Sequence, residues 1–503
     1  MKYIDNFLNG ITMYRLLLYY LIFLLVVAFG LSFFEVLSFN PLAIAGNAMF
    51  FVAICWITNT IFAKTFGAPT NLESVYITAL ILSLIVAPIR SYHDLPFLGW
   101  VAVWAMASKY IFAFGKKHFF NPAAFGVALA GVGLFQSANW WVGTGSLLPF
   151  VLLGGFLIVR KIQREDMVGT FFLSALLTIF FFNLAKGTDV FVLLKKILFD
   201  TPIVFFAFVM LTEPLTTPPT KLLRMLYGGI VGILYAPQVH VGSIYSTPEL
   251  ALLVSNMYSY IVSPKQKLVL TLSEKIKTAS DMFDFVFPKN KNFSFLPGQY
   301  MEWTIAHKNP DSRGTRRYFT LASSPTEDTI RLGVKVYPNA SSFKRALVNL
   351  SSRDPIVAGQ LAGDFTLPSD TAKKLVFVSG GIGVTPYRSI IKYLLDKKEK
   401  RAIVHFYSNK NASEIVYKDI FDEAQREMGI KTVYTLTDKE AIPPNWKGRV
   451  GRIDAKMIQE EVSDYKDRLF YLSGPHAMVI GFEEVLHSMG VNNIKKDFFP
   501  GFV

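Results

Sequence analysis

Two patterns divide the chain. Up to about Ser263, apolar residues come in long runs rich in Phe, Leu and Ile; from Pro264 onward they alternate with Lys, Asp and Glu. Runs near the ~20 residues that a bilayer core requires predict about ten spanning helices. They fall at roughly 14–34, 41–63, 75–89, 97–115, 121–136, 147–160, 168–185, 201–213, 222–237 and 247–263. The second region reads differently. Short alternating segments bounded by turn residues, Leu268–Leu272, Phe283–Phe287, Gln299–Ile305 and Ile330–Tyr337, predict a small antiparallel barrel. From 374 to 500 the pattern becomes strand–helix alternation, which predicts a parallel α/β sheet. Its predicted strands are Leu375–Ser379, Ala402–Tyr407, Thr432–Leu436 and Leu469–Leu472, with a helix from Pro386 to about Leu395. The expected architecture is a polytopic α-helical membrane domain over 1–263, an antiparallel β-barrel over 264–370 and an α/β nucleotide-binding domain over 371–503.

Composition sharpens this division. The chain is 52% hydrophobic and only 17% charged, too apolar for an ordinary soluble enzyme. The net charge of +14 admits a nucleic-acid footprint. The positions of the charges fit a membrane protein better, and no nucleic-acid partner is expected. With the second region in the cytoplasm, ten spans put the N-terminus there too. Lys64, Lys116, Lys117, Arg160, Lys161, Arg164, Lys221 and Arg224 then fall in cytoplasmic loops, while 35–40, 137–146 and 238–246 hold no Lys or Arg. Arg90, Lys186, Lys195 and Lys196 break the rule, and Val190–Phe199 can be read as an interfacial helix. The expectation is an integral protein of the inner or plasma membrane, with membrane lipid as its surroundings and both termini cytoplasmic.

Cysteine and histidine limit the redox chemistry. The single cysteine, Cys55, lies in an apolar run and excludes an iron–sulfur cluster held by four cysteines of this chain. The helical region has only His93, His118 and His240, all in loops or at helix ends. No haem and no metal site are therefore expected.

The second region carries ordered motifs: Pro297-Gly298-Gln299-Tyr300, Arg317-Tyr318-Phe319-Thr320, Gly380-Gly381-Ile382-Gly383-Val384-Thr385-Pro386, Trp446 to Ile453, and Ser473-Gly474-Pro475-His476-Ala477-Met478. Phe498-Phe499-Pro500-Gly501-Phe502 follows at the end. In this order they resemble the ferredoxin–NADP reductase family of flavin-dependent oxidoreductases. The resemblance implies FAD bound by Tyr300, Arg317, Tyr318, Phe319 and Thr320. Arg317 would meet the pyrophosphate, Phe319 the flavin face, and Thr320 the N5 region where hydride arrives. Ser341 and Ser342, at a helix start, can donate to phosphate or simply cap. Gly380, Gly381, Gly383, Thr385 and Pro386 would receive NADH or NADPH. Ser473, with Gly474 and Pro475, stands near the expected nicotinamide, in the place where the family commonly has cysteine. Thr320 and Ser473 are the expected catalytic residues. Phe499 can stack on the flavin or pack in a core. Lys410, in Ser408-Asn409-Lys410, can meet a 2′-phosphate or stay solvated, so NADH against NADPH stays open.

Two segments of the first region also form a pattern. Lys116-Lys117-His118-Phe119-Phe120-Asn121-Pro122-Ala123-Ala124-Phe125 and Met210-Leu211-Thr212-Glu213-Pro214-Leu215-Thr216 resemble segments of the NqrB/RnfD membrane flavoproteins, with Glu213 where Asp is usual. That family supplies membrane components of the sodium-translocating NADH:quinone reductase and of the Rnf complex. The resemblance implies a membrane FMN, with His118 and Asn121 among its candidate site residues. The family's S-G-A-T attachment motif is absent, and Thr144, after Gly143, is the nearest match. Trp140 and Trp141 can stack a flavin or form an interfacial belt. Asn121-Pro122 is equally a helix-capping pair.

The expected function is electron flow from cytoplasmic NAD(P)H through FAD and a membrane flavin to a quinone or a far-side acceptor. Coupled ion transport and further electron-transport subunits fit the same resemblance. An ion or small-molecule transporter with a redox-sensing reductase domain is the alternative.

Overall fold

The computed structural model describes residues 4, 7, 8, 10–68, 72–114, 117–184, 187–263, 267–311 and 314–497. The chain divides into two compact units, Met1–Lys267 and Leu268–Val503. The expected boundary at Pro264-Lys265 and the aromatic Phe499 lie outside the described residues.

The first unit is helical, and its helices coincide with the apolar runs. Among the described residues, Met13–Phe33, Pro41–Thr65 and Glu165–Leu184 are long and apolar enough to cross a membrane. This corrects the expected ten spans. Leu72–Ile85 and Pro122–Leu134 are apolar but have 14 and 13 residues, and at about 1.5 Å per residue they fall short of a ~30 Å hydrocarbon core. The eighth run is interrupted: Ile203–Phe205 continues as a π-helical turn, Phe206–Met210, and then loses helical form.

An internal repeat that the sequence does not display organises this unit. In the first half, Pro41–Thr65 packs on Leu95–Ile111, Leu95–Ile111 packs on Pro122–Leu134, and Met13–Phe33 packs on Leu72–Ile85. In the second, Glu165–Leu184 packs on Lys221–Tyr235, Lys221–Tyr235 packs on Pro248–Val262, and Leu148–Ile162 packs on the interrupted 203–210 element. The halves meet through Pro122–Leu134 against Pro248–Val262 and Met13–Phe33 against Leu148–Ile162. The helix starts correspond as well. Asn121 caps Ala124 N at 3.0 Å and Thr247 caps Leu250 N at 3.3 Å, each followed by a proline in the first turn.

The second unit begins with two antiparallel sheets that form the barrel. Its strands are β1 (Leu268–Thr271), β2 (Glu274–Lys277), β3 (Met282–Pro288), β4 (Tyr300–Thr304), β5 (Arg316–Thr320), β6 (Thr329–Lys335) and β7 (Pro355–Ala362). They pair in the orders β6-β3-β2 and β1-β7-β4-β5. Alternation places Phe285, Phe287, Met301, Trp303, Leu332 and Ile356 in one core. A short helix, α1 (Ser342–Val348), packs Phe343 and Leu347 into the same core.

A six-stranded parallel sheet follows: β8 (Leu375–Gly380), β9 (Ile403–Asn409), β10 (Lys431–Leu436), β11 (Arg449–Val450), β12 (Leu469–Ser473) and β13 (Ile494–Asp497), in the order β11-β10-β9-β8-β12-β13. The chain moves outward from β8 to β11 and then returns to its other side. The ends of β8 and β12 therefore flank the switch point where such sheets bind ligands. Helix α2 (Thr385–Lys397) leaves the glycine turn after β8, and α3 (Lys418–Met428) follows β9. Helix α4 (Ala455–Glu461) precedes β12, and α5 (His476–Ser488) follows it. The short β2, β11 and β13, and the longer β5 and β7, were not among the strands anticipated from the sequence pattern.

Candidate functional site

Three chain segments converge at the switch point. The parallel register sets Ser473 opposite Ser379 on one side and opposite Asp497 on the other. Thr320, the last residue of β5, donates its hydroxyl to Asp497 Oδ2 at 2.8 Å. The barrel thus meets the end of the sheet through one buried hydrogen bond. Burial pushes the Asp497 carboxyl up to about 7, while the Thr320 hydroxyl partly offsets this by favouring the ionised form. Asp497 escaped the sequence reading because Ile494-Lys495-Lys496-Asp497 looks like a solvated charged segment. Its register beside Ser473 is what sets it apart.

The glycines of the turn have a packing reason. A β-carbon on Gly383 would lie 2.5 Å from Gly474 Cα, and one on Gly380 would lie 2.3 Å from Met478 Sδ. At Gly383 the two turns therefore meet backbone to backbone, while the Met478 side chain packs beside Gly380 and Gly474. Gly381 differs: it has φ +53° and open space around it. Thr385 begins α2, with Pro386 in the first turn, and its hydroxyl donates to Ile382 O at 3.3 Å. Gly474 and Pro475 lead from β12 into α5.

On the barrel, Tyr300 and Tyr318 are half-buried and meet edge to face at 5.6 Å. Tyr318 donates to Glu302 Oε2 at 2.9 Å. Phe319 packs its ring 5.9 Å from Phe343. Arg317 is only 1% exposed. Its guanidinium lies over the Phe343 ring at 5.3 Å and reaches Asp311 Oδ1 at 3.4 Å. Ser341 caps α1 by accepting from Lys344 N at 3.3 Å. The Ser342 hydroxyl accepts from Asp311 N at 2.9 Å and stands 3.0 Å from His307 Nε2. Ser342 therefore fixes the loop above Arg317. Sequence reasoning missed this Asp311–Ser342–His307 network, because Ser342 is 31 and 35 residues from its two partners. The half-buried faces of Tyr300, Tyr318 and Phe319 fit a flavin ring, while the Arg317 guanidinium and the Thr320 hydroxyl are held by Asp311 and Asp497.

The candidate residues of the helical unit form a separate polar cluster. Asn121 Nδ2 donates to Glu213 Oε2 at 2.8 Å, and Asn256 Oδ1 accepts from Asn121 N at 2.8 Å. His118 Nε2 lies 3.7 Å from Glu213 Oε1, and Asn256 Nδ2 contacts Tyr227 OH at 2.8 Å. The two family-like segments thus meet in space. Glu213 lies in the non-helical stretch after Met210, where irregular backbone inside a helical bundle needs polar partners.

Trp140 and Trp141 correct an expectation: both are buried, and neither forms a surface belt. Trp140 Nε1 donates to Glu249 Oε1 at 2.7 Å, and Trp141 Nε1 to Ser83 O at 2.9 Å. Thr144 Oγ1 is buried without a hydrogen-bond partner among the described residues. It borders a cavity of about 10 Å³ beside Thr201, Pro202 and Phe205, room for about one water molecule.

Residues 377–484 match the family model of the oxidoreductase NAD-binding domain. The flavohemoprotein of Bacillus subtilis (strain 168) is 28% identical over 199 residues, covering 39% of this chain and 49% of the relative. Flavohemoprotein A of Dictyostelium discoideum is 23% identical, covering 45% of this chain and 59% of the relative. NADH-cytochrome b5 reductase 1 of Mortierella alpina is 26% identical, covering 46% and 78%. The chain spans about half the length of the flavohemoproteins it matches. These relationships support an enzymatic, electron-transferring domain similar to parts of the flavohemoproteins and the NADH-cytochrome b5 reductases. They also support binding of FAD and a nicotinamide nucleotide.

Proposed function

We propose that the protein is a membrane-embedded oxidoreductase that takes electrons from cytoplasmic NADH or NADPH into FAD. It then passes them through the helical unit to a quinone or another acceptor. The convergence of Thr320, Asp497 and Ser473 beside the paired turns carries this reading. Bound FAD supplies the conversion between hydride donors and one-electron acceptors. The chain's own residues hold and orient. The glycine turn and the α2 N-terminus offer backbone N–H groups to a pyrophosphate. Ser473 can hydrogen-bond the nicotinamide. Thr320 fixes the flavin's reactive edge, and Asp497 can hold a proton one hydrogen bond away. Arg317, once released from Asp311, can pair with the flavin pyrophosphate.

Membrane embedding is supported by the three long apolar helices and by exposed Leu42, Val132, Phe135 and Phe181 on the first unit. A second flavin, such as FMN, or a bound quinone would complete the relay there. Phosphoester attachment of FMN at Thr144 requires the 201–205 segment to move away from its hydroxyl. A second reading, a transporter with a redox-sensing reductase domain, is favoured by one observation: the interrupted 203–210 helix is followed by a half-buried carboxylate, Glu213, as half-helices are around transported solutes.

The test uses full-length protein purified in detergent. Bound flavin should bleach with NADH or NADPH under anaerobic conditions and recover with a soluble quinone. Protein that lacks flavin, or whose flavin does not bleach with either nucleotide, would overturn the oxidoreductase reading. Bleaching without steady turnover to any quinone or ferric acceptor would favour the sensor.

A further inference from the structure

We propose that Arg388 is a positioning residue that sets the flavin edge against the nicotinamide, with Tyr417 as its support. This rests on the oxidoreductase reading above and deepens it. Hydride transfer depends on the distance between two rings held by different parts of the second unit. The barrel presents Thr320, and the sheet presents the glycine turn and Ser473. A misplacement of about 1 Å can cost about 10²-fold in rate, so barrel and sheet need ties close to both rings. The Thr320–Asp497 bond is one such tie. Arg388 supplies another.

Arg388 lies in the first turn of α2, the helix that leaves the glycine turn, and is buried. Its Nη1 donates to Ala322 O at 2.7 Å, two residues after Thr320. Nη1 and Nη2 also form a fork on the Glu327 carboxylate, at 2.8 and 2.9 Å. The next residue, Ser389, donates to Ser323 O at 2.7 Å. Consecutive residues of α2 thus hold the 321–328 turn, which starts directly after Thr320. The Tyr417 ring lies against the guanidinium, 5.4 Å away. Its hydroxyl donates to Asp284 Oδ1 of β3, a fully buried carboxylate that also accepts from Arg331 Nη1 of β6 at 2.8 Å. Tyr417 has φ +59°, a left-handed conformation that is costly for a bulky aromatic residue. The strain is retained where the ring supports Arg388. The interface has no slack beside it: a β-carbon on Gly333 of β6 would lie 2.6 Å from the Tyr417 hydroxyl and 2.7 Å from Thr385 Cγ2. Apolar side chains would hold such an interface together as well as a buried ion pair does. What a planar fork adds is direction.

The test uses full-length protein in detergent, with flavin content, dithionite bleaching and the Kd for NAD+ and NADP+ measured on every variant. Arg388→Met combined with Glu327→Met removes both charges and leaves apolar side chains in their place. Flavin reduction at saturating nucleotide should slow about 10²-fold in this double variant, with KM and Kd within about threefold of wild type. Arg388→Lys keeps the charge without the fork and should regain about tenfold of that loss. Gly333→Ala touches no charged group and should slow the same step about tenfold or more, with the same split between rate and binding. In the slowed variants, the long-wavelength absorbance of reduced flavin stacked on oxidised nicotinamide should weaken in step with the rate. A reduction rate within about threefold of wild type in the flavin-replete double variant would overturn the proposal. So would a loss carried by KM and Kd, or loss of flavin from both the double variant and Gly333→Ala, which would make the contact architectural. If neither nucleotide bleaches a wild-type flavin that dithionite does bleach, the oxidoreductase reading itself fails.

Discussion

The two units hold their enclosed carboxylates in different ways. In the second, Asp497 is buried with one hydroxyl partner, Thr320, and its carboxyl is held near neutrality. In the first, Glu213 is surrounded by Asn121, Thr216 and His118. A carboxylate with a single neutral partner is poised to exchange a proton; one enclosed by several donors is tied into structure. On the proposed function, the same residue class would serve chemistry in one unit and architecture in the other.

The sharpest way to break this contrast is to neutralise the first acid. Asp497→Asn should slow flavin reduction by NADH or NADPH about 10²-fold. It should also remove from the rate profile an ionisation near pH 7, the value toward which burial pushes the carboxyl. An unchanged rate in stopped-flow measurements would make Asp497 structural like Glu213. The converse substitution, Glu213→Ala, leaves Asn121 and His118 facing an emptied site. It should destabilise the helical unit by about 1–3 kcal/mol, read as earlier thermal unfolding in detergent, while flavin reduction in the other unit keeps its rate. Gly383→Ala places a β-carbon 2.5 Å from Gly474. Overpacking of that kind costs about 1–3 kcal/mol, and the spreading turns should raise KM for the nucleotide more than they lower kcat.

The smallest effect is in the pH dependence. His405 is fully buried among aromatic rings, and burial pulls its imidazole down to about 3. The unfolded chain takes up that proton near pH 6.5, so the contribution is complete above 6.5 and fades as the pH falls toward 3. Asp497 has the opposite sign: its raised value makes its contribution complete below its unfolded value, and that contribution is lost as the pH rises through about 7. Between about pH 6.5 and 5 the two nearly cancel. Asp497→Asn should unmask the His405 slope, a loss of about 2 kcal/mol over that range, visible as lower protection factors for the β8 and β9 amides at pH 5 than at pH 6.5.

What the sequence made legible was local. The Arg317–Thr320, Gly380–Pro386 and Ser473–Met478 segments are contiguous, and each sits where a strand ends, so period and turn chemistry locate them. The alternating segments likewise fell on β1, β3, β4 and β6. Asp497, Asp311 and His307 were missed because their meaning lies in partners far along the chain. The repeat in the helical unit was missed for a related reason: its halves share packing and helix starts, while their apolar side chains differ freely. The span count failed because hydropathy registers an apolar run and says little about where a helix stops, and several of these helices stop short.

The contact between Gly383 and Gly474 has a mechanical consequence. Two turns that touch backbone to backbone at this point move together. In the proposed site, a shift of the Gly380–Gly383 turn at the phosphate end of a nucleotide would carry Ser473 with it, so grip and aim would be set together.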